Sequence, residues 1–252
     1  MRYALISDIH ANLPALDSVL ADIAIQDVSG TYHLGDLVGY APWPNEVVER
    51  IRSAAIPGVA GNYDSTVATD YKHCGCRYED PRQEALSHLS YGWTREHVSP
   101  VAKAWLGALP FRIDIRPLGG HVGGPTLTLV HGNQALNTVY VTDDRSDDFH
   151  ARMGESLGSR AGDVVAFGHT HKPWHRIVSG IHFVNTGSVG RPKDGDWRAG
   201  YVIVDLATDV VRTEFRRVAY DVDLAANGIL SSTLPHEFAE YLRTGGRPAV
   251  PV

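Results

Sequence analysis

Among the residues between positions 8 and 171 that could ligate a metal are seven that stand at or just past the end of an apolar run or beside a glycine. They are Asp8, His10, Asp36, Asn62, His131, His169 and His171. Asp36 is the only charge in Leu34-Gly35-Asp36-Leu37-Val38-Gly39. A lone carboxylate in so apolar a stretch is expensive to bury unless it is paired or bound to a metal. Asp8 and His10 are two apart, so at a strand end both point to one side and can reach one ion. Gly168-His169-Thr170-His171 repeats that spacing with two imidazoles, and Asn62 adds a neutral carbonyl oxygen. Two carboxylates, one amide oxygen and four imidazoles are too many for one tetrahedral zinc. Two borderline or hard divalent ions that share Asp36 as a bridge use them all.

Taken singly, each motif has a plainer explanation. Asp8 could cap a helix, Gly61-Asn62-Tyr63-Asp64 could be a turn, and a histidine beside glycine is often half-buried with no task. That plain explanation is kept for His33, His73, His88, His97, His121, His150, His175, His182 and His236. The ordered set of segments overrides it, because each ends a strand, and open α/β sheets build their sites outside the carboxyl ends of strands.

The elements that must position these residues are legible in the apolar pattern. Residues 2–7 predict a strand, and Asn12 predicts the cap of a helix carrying Leu13, Leu16, Val19, Leu20 and Ile23. Thr31–Leu34 predicts a second strand, Pro44-Asn45 opens a second helix, and Ile56–Ala60 predicts a third strand. This alternation is the rhythm of a mostly parallel sheet. Residues 65–80 break it. Asp80-Pro81 and Ser99-Pro100 then predict helices over 81–97 and 100–108, so a helical insert at about 65–110 is expected as a lid or substrate-facing cap. Strands are expected at Arg112–Arg116, Thr126–Val130, Val164–Phe167, His182–Val184, Tyr201–Asp205 and Val210–Val218, with a helix at 146–157. A short C-terminal helix and a frayed tail rich in proline and glycine (Gly245, Gly246, Pro248, Pro251) complete the segment at about 222–252. One domain over 1–252, with two packed sheets and outer helices, is the expected organisation.

At 252 residues the chain can bury about three-quarters of its unfolded surface and needs no structural metal or disulfide to fold. A net charge of -6 argues against a nucleic-acid or anionic-membrane footprint. A compact phosphate substrate stays compatible with that charge, since bound divalent ions reverse the field locally. Met1 to Ile6 reaches Ser7 and Asp8 too soon for a signal-peptide core, and no apolar run is long enough to span a bilayer. Cys74 and Cys76 flank a single glycine, so reduced thiols and a cytoplasmic protein are expected.

Asp-x-His, Gly-Asp-x-x-Gly, Gly-Asn-x-Asp, His-Gly and Gly-His-Thr-His, in this order over residues 3 to about 205, resemble the calcineurin-like metallophosphoesterases. The segment Asn185-Thr186-Gly187-Ser188-Val189-Gly190 resembles the stretch that follows the last histidine pair in small bacterial members. The resemblance implies a four-layer α/β/β/α sandwich of two mixed sheets flanked by helices, with a dinuclear Mn, Fe, Ni or Zn centre, manganese favoured. It implies that Asp8, His10, Asp36 and His171 hold one ion, and that Asp36, Asn62, His131 and His169 hold the other. Asp36, Asn62, Asp64 and His131 would then be the catalytic set, and Tyr63, Asn133 and Arg191 the substrate contacts.

Two departures shape the expected activity. Many members carry histidine where this chain has Tyr63, and a phenol near pKa 10 is a poor acid for a leaving group. That favours a phosphodiesterase, attacking with a hydroxide that bridges the two metals, over a monoesterase. The other departure is Asn133-Gln134-Ala135-Leu136 in place of a Ser-Pro-Arg step, which leaves phosphate contact to Arg191 or Lys193. The alternatives are a dinucleoside polyphosphate hydrolase, a protein phosphatase of the same superfamily, or a metal-binding scaffold without turnover. A small phosphoester is the expected partner, with no membrane or nucleic acid, and a homo-oligomer is compatible with the sequence.

Overall fold

The computed structural model describes residues 1–78, 80–116, 124–206 and 210–247. His121, Pro248 and Pro251 lie outside the described residues.

Two mixed sheets face one another. The first has the order β2-β1-β8-β9, built from β1 (Arg2–Ile6), β2 (Gly30–His33), β8 (Ala199–Leu206) and β9 (Val211–Val218). β1 runs parallel to β2 and antiparallel to β8. The second has the order β3-β4-β5-β7-β6, from β3 (Ile113–Ile115), β4 (Leu127–Leu129), β5 (Val164–Phe167), β6 (Trp174–Val178) and β7 (Ile181–Asn185). Here β4, β5 and β7 are parallel, and β3 and β6 close the edges antiparallel. β5 is Val-Val-Ala-Phe with every residue buried, as a central parallel strand covered on both faces requires.

Three apolar layers bind these elements. Between the sheets lie Leu5, Leu34, Leu129, Ala166, Val184 and Val202. On the outer face of the first sheet, Ile6 and Ile203 pack with α1 (Leu13–Ala24), α2 (Pro44–Ser53), α7 (Val222–Leu230) and α8 (Glu237–Thr244). Outside the second sheet, Val165, Phe167 and Phe183 pack against Met153 and Leu157 of α6 (Asp147–Leu157). The expected α/β/β/α sandwich is therefore the fold.

The helix starts follow the capping residues. The Asn12 side chain accepts from the Ala15 N–H at 3.2 Å, and Ser146 accepts from Phe149 at 3.2 Å. α4 (Pro81–His97) begins after Asp80, and α5 (Pro100–Leu106) after Ser99, each with proline in its first turn. Leu86, Tyr91, Ala102 and Leu106 of these two helices join the same apolar cluster as α1 and α2.

The structure corrects several local expectations. Residues 56–60 form no strand and touch β2 through one bridge, His33 to Gly58, because Pro57 has no N–H to extend a ladder. Gly61-Asn62-Tyr63-Asp64 is not a free turn; it opens α3 (Asn62–Ala68), with Gly61 as its cap. β6 had not been expected. Its hairpin loop, Ser179-Gly180, has φ of 52° and 77°, the two positive values that a tight hairpin turn needs. The C-terminal segment holds two helices, α7 and α8, where one had been expected. Cys74 and Cys76, expected as reduced thiols, are bonded to each other, with Cα atoms 5.4 Å apart and within disulfide reach.

Candidate metal centre

All seven expected ligands converge at the carboxyl ends of β1, β2, β4 and β5, joined there by the first residue of α3. Their placement is strained. Asp8, His10, Asp36, His169 and His171 all have left-handed backbone, with φ of 51°, 48°, 53°, 65° and 61°. Each such non-glycine residue costs roughly 1–2 kcal/mol, a load met at functional sites and held by the surrounding hydrogen bonds. Those bonds are present. Asp8 and His10 donate backbone N–H groups to the carbonyls of Gly35 and Asp36, both at 3.0 Å. The carbonyl of Asp8 accepts from the Ser188 hydroxyl at 2.7 Å and from the Gly190 N–H at 3.0 Å. The Asn185 amide ties down the Gly168 carbonyl at 2.7 Å. The 185–190 segment thus acts as a strap under both ligand loops.

The side chains fall into two buried groups. Asp8, His10 and His171 form one, and Asp36, His131 and His169 the other, with potential ligand atoms in each group within 4.8 Å of one another. Asp36 Oδ2 joins them, 3.8 Å from His10 Nε2 and 3.5 Å from His131 Nε2. Asn62 Oδ1 adds to the second group, 3.2 Å from His131 Nε2.

The protonation pattern fits cations. His10, His131 and His171 each direct Nδ1 at a backbone carbonyl, of Val38, Leu34 and Arg191, at 3.1, 2.6 and 2.6 Å. Nδ1 must carry the proton there, which leaves the Nε2 lone pairs inward, as ligating histidines are set. His10 Nε2 and His171 Nε2 then face each other at 3.1 Å with no proton between them when both rings are neutral. Asp8 Oδ1 and His169 Nε2 are buried without a partner. Divalent ions would satisfy all of these atoms, so the residues fit a metal pair.

Electrostatics agree. Burial pushes the His10 pKa down to about 3, helped by His171, and burial with His131 pushes His169 to about 3. His171 is also well below its ordinary value, through burial and then Lys193. His131 goes the other way: burial lowers its pKa, but the charge of Asp36 and a hydrogen bond to it lift the net value to about 9. The upward pull of Asp36 on His131 marks this spot as one where the acids favour positive charge.

The remaining expected residues make contacts of their own. Asp64, expected among the catalytic groups, spends its carboxylate on backbone N–H groups: those of Asp36 at 2.8 Å, Gly61 at 2.9 Å and Leu37 at 2.9 Å. Burial and the nearby charge of Asp36 raise its pKa to about 7, against the pull of those N–H bonds. It thereby holds the main chain of Asp36, Leu37 and Gly61 in place. Asn133, expected at substrate, turns Oδ1 to the N–H groups of Ala135 and Leu136, both at 2.9 Å, and shapes the loop after His131. Arg191, also expected at substrate, is 5% exposed and lies over the Tyr40 ring at 4.0 Å, with Phe238 at 5.3 Å. Tyr63 does line the pocket, beside His10, Asp36, His169, His171 and Lys193. Its hydroxyl is buried without a partner, and burial raises its pKa well above 10.0. A side chain on Gly61 would collide with the Asp36 carboxylate, which explains the glycine before Asn62.

Sequence reasoning gave too little weight to Lys193 and Tyr140. Lys193 lines the pocket and burial lowers its pKa to about 7, assisted by Arg191. The Tyr140 ring packs on His169 with centroids 4.2 Å apart. Neither carries a motif; only its place two residues after Arg191 pointed towards Lys193.

Comparison with known proteins gives a consistent result. A model of the calcineurin-like phosphoesterase superfamily domain matches residues 1–209. An uncharacterized protein of Methanocaldococcus jannaschii is 31% identical, over 96% of this chain and 97% of that protein. Phosphodiesterase YfcE of Escherichia coli is 26% identical, over 81% and 88%. The crystal structure of a metallophosphoesterase from Sphaerobacter thermophilus superposes with a TM-score of 0.73 at 28% identity, covering 97% of this chain and 99% of its own.

Proposed function

Since the chain belongs to the calcineurin-like phosphoesterase superfamily, we propose that it is a two-metal phosphodiesterase acting on a small phosphoester. The observation that carries this is Asp36 Oδ2, one oxygen set between His10 of one ligand group and His131 of the other. Asp8, His10 and His171 would hold one ion, Asn62, His131 and His169 the other, and Asp36 both. Imidazole, carboxylate and amide donors suit manganese, iron, nickel or zinc, of which manganese is our choice. When bound, such ions supply Lewis-acid stabilisation and an activated water at neutral pH.

The chain's own residues do the rest. Lys193 adds a cation to the pocket wall against the phosphoryl charge. Asp64 keeps the backbone of Asp36 and Leu37 in register, so the bridging oxygen stays between the two groups. Tyr63, the residue at the usual acid position, holds its proton too tightly to give it to a departing alkoxide. A diester with a stable leaving group suits such a site better than a monoester.

A second reading has its own support. Tyr78 and Tyr140 line both the metal pocket and a neighbouring cleft of about 890 Å³, where Arg77 and Arg145 also stand. Room and two cations beyond the phosphoryl position favour a substrate with a further anionic group, such as a dinucleoside polyphosphate.

The test is hydrolysis of bis-p-nitrophenyl phosphate against p-nitrophenyl phosphate after chelator stripping and manganese reconstitution. The expected result is faster diester cleavage, lost on chelation. Faster monoester cleavage overturns the diester preference, and metal uptake without turnover of any phosphoester returns the scaffold reading.

A further inference from the structure

Cys74-Gly75-Cys76 has no part in the metal chemistry above, yet it touches a ligand. Asn62 Nδ2 donates to the Cys74 carbonyl at 3.0 Å and lies 3.3 Å from Cys76 Sγ. An amide has two ends, and fixing the nitrogen end decides where the oxygen points. Here the nitrogen is held by the cysteine loop, and Oδ1 is turned towards His131 Nε2, on the metal side.

The loop is shaped for this. Gly75 has φ of 75°, which brings the two cysteines around on themselves, and the sulfurs are joined. Cys74 is buried, at 2% exposed. Cys76 is half-buried and lies between two spaces. It lines the metal pocket on one side; on the other it lines an outer cavity of about 540 Å³, with Lys72, His73 and Glu84. A small reductant can therefore meet the sulfur pair without passing the metals.

We propose that the Cys74–Cys76 pair is a redox-responsive positioning element for Asn62: closed, it aims the amide oxygen at the second ion, and open, it lets that ligand go. The inference rests on Asn62 being a ligand of the second ion. Opening takes two electrons and two protons from a small dithiol. One dithiol thiolate attacks Cys76 Sγ, the Cys76–Cys74 bond breaks, and Cys74 leaves as a thiolate that takes a proton. The second dithiol sulfur then displaces Cys76, which leaves as a thiol once protonated, and the reductant departs as its cyclic disulfide. The freed loop loses the closure that held the Cys74 carbonyl and Cys76 sulfur against Asn62. A partner that orients a metal ligand is commonly worth about 10–100-fold in metal affinity.

The experiment uses the full chain loaded with cobalt(II), in the closed form (no titratable thiol) and after reduction with a phosphine (two titratable thiols). Metal content and the visible cobalt spectrum are read in both. The expected result is two ions per chain when closed, a second ion held at least about tenfold more weakly when open, and recovery on re-oxidation. Cys76→Ser should match the open form and ignore oxidant. Two ions of equal affinity in both states overturn the inference alone. Tighter binding on reduction, with sulfur-to-cobalt absorption, overturns it in favour of cysteine ligation. Thiols that stay free after oxidant also overturn it. Fewer than two ions in the closed state overturns the two-metal reading and this inference with it.

Discussion

The Asp64 carboxylate accepts the backbone N–H of Asp36 at 2.8 Å, so one aspartate holds the main chain of the other. Asp36 in turn uses Oδ1 to accept from the Tyr63 N–H at 2.9 Å, which leaves Oδ2 free between His10 and His131. The Gly-Asp and Gly-Asn-x-Asp motifs are thereby one hydrogen-bonded unit rather than two separate ligand loops.

Asp64→Asn puts an amide N–H where a backbone N–H already points. Leaving one buried donor unmatched costs about 1–3 kcal/mol. A lower thermal midpoint and weaker uptake of metal are expected together. A large fall in kcat with unchanged midpoint and metal content would instead make Asp64 a direct participant.

Tyr63→His restores an imidazole beside His10 and Asp36 in the pocket. If position 63 faces the leaving group, monoester turnover should rise relative to diester by about tenfold or more. An unchanged ratio of the two rates would place the leaving group elsewhere.

Lys193→Met keeps the length of the side chain and removes its cation. Loss of one contact to a phosphoryl oxygen should raise KM about tenfold with kcat little changed, a difference of about 1.4 kcal/mol. The gap between variant and parent should shrink as salt is added, because screening weakens the parent's contact first. A fall in kcat at constant KM would argue that Lys193 acts on the transition state instead.

Away from the site, Asp22 joins α1 to the first sheet, accepting from Arg216 Nε at 2.9 Å and from the Tyr201 hydroxyl at 2.6 Å. The Arg216 hydrogen bond holds its pKa below 3.8. A carboxylate lowered by folding contributes stability above its unfolded pKa, and that contribution is lost as pH falls through the folded one. Asp22→Asn should therefore melt earlier than the parent at neutral pH, and the gap should close as pH falls below the ordinary aspartate range. An equal gap at both pH values would mean that charge is not what the aspartate supplies.

The ligands were legible because their side-chain types are rare at strand ends and their order is informative. Asp36, His169 and His171 could be placed from residue type and spacing alone. What stayed hidden was the work of polar side chains on backbone. Asp64 and Asn133 look like site residues by type, and only the fold reveals that their oxygens are taken by N–H groups of neighbouring turns. Arg191 and Lys193 are two apart in a loop without periodicity, so the pattern could not say which faces the aromatic rings and which the pocket. The Cys74–Cys76 bond escaped for a similar reason: spacing alone does not show the left-handed glycine that turns the two cysteines towards each other.

His10 and His171 meet with their ring nitrogens 3.1 Å apart although 161 residues separate them along the chain. One comes from the loop after the first strand of the first sheet, the other from the loop after the second sheet's central strand. During synthesis, Asp8, His10, Asp36 and Asn62 emerge early and must wait for His131, His169 and His171 before either ion has its full set of partners. On the proposed two-metal reading, metal loading would be a late event in the life of the nascent chain, and an N-terminal fragment ending before His131 should be unable to retain either ion. Ion uptake would then report that both sheets have docked.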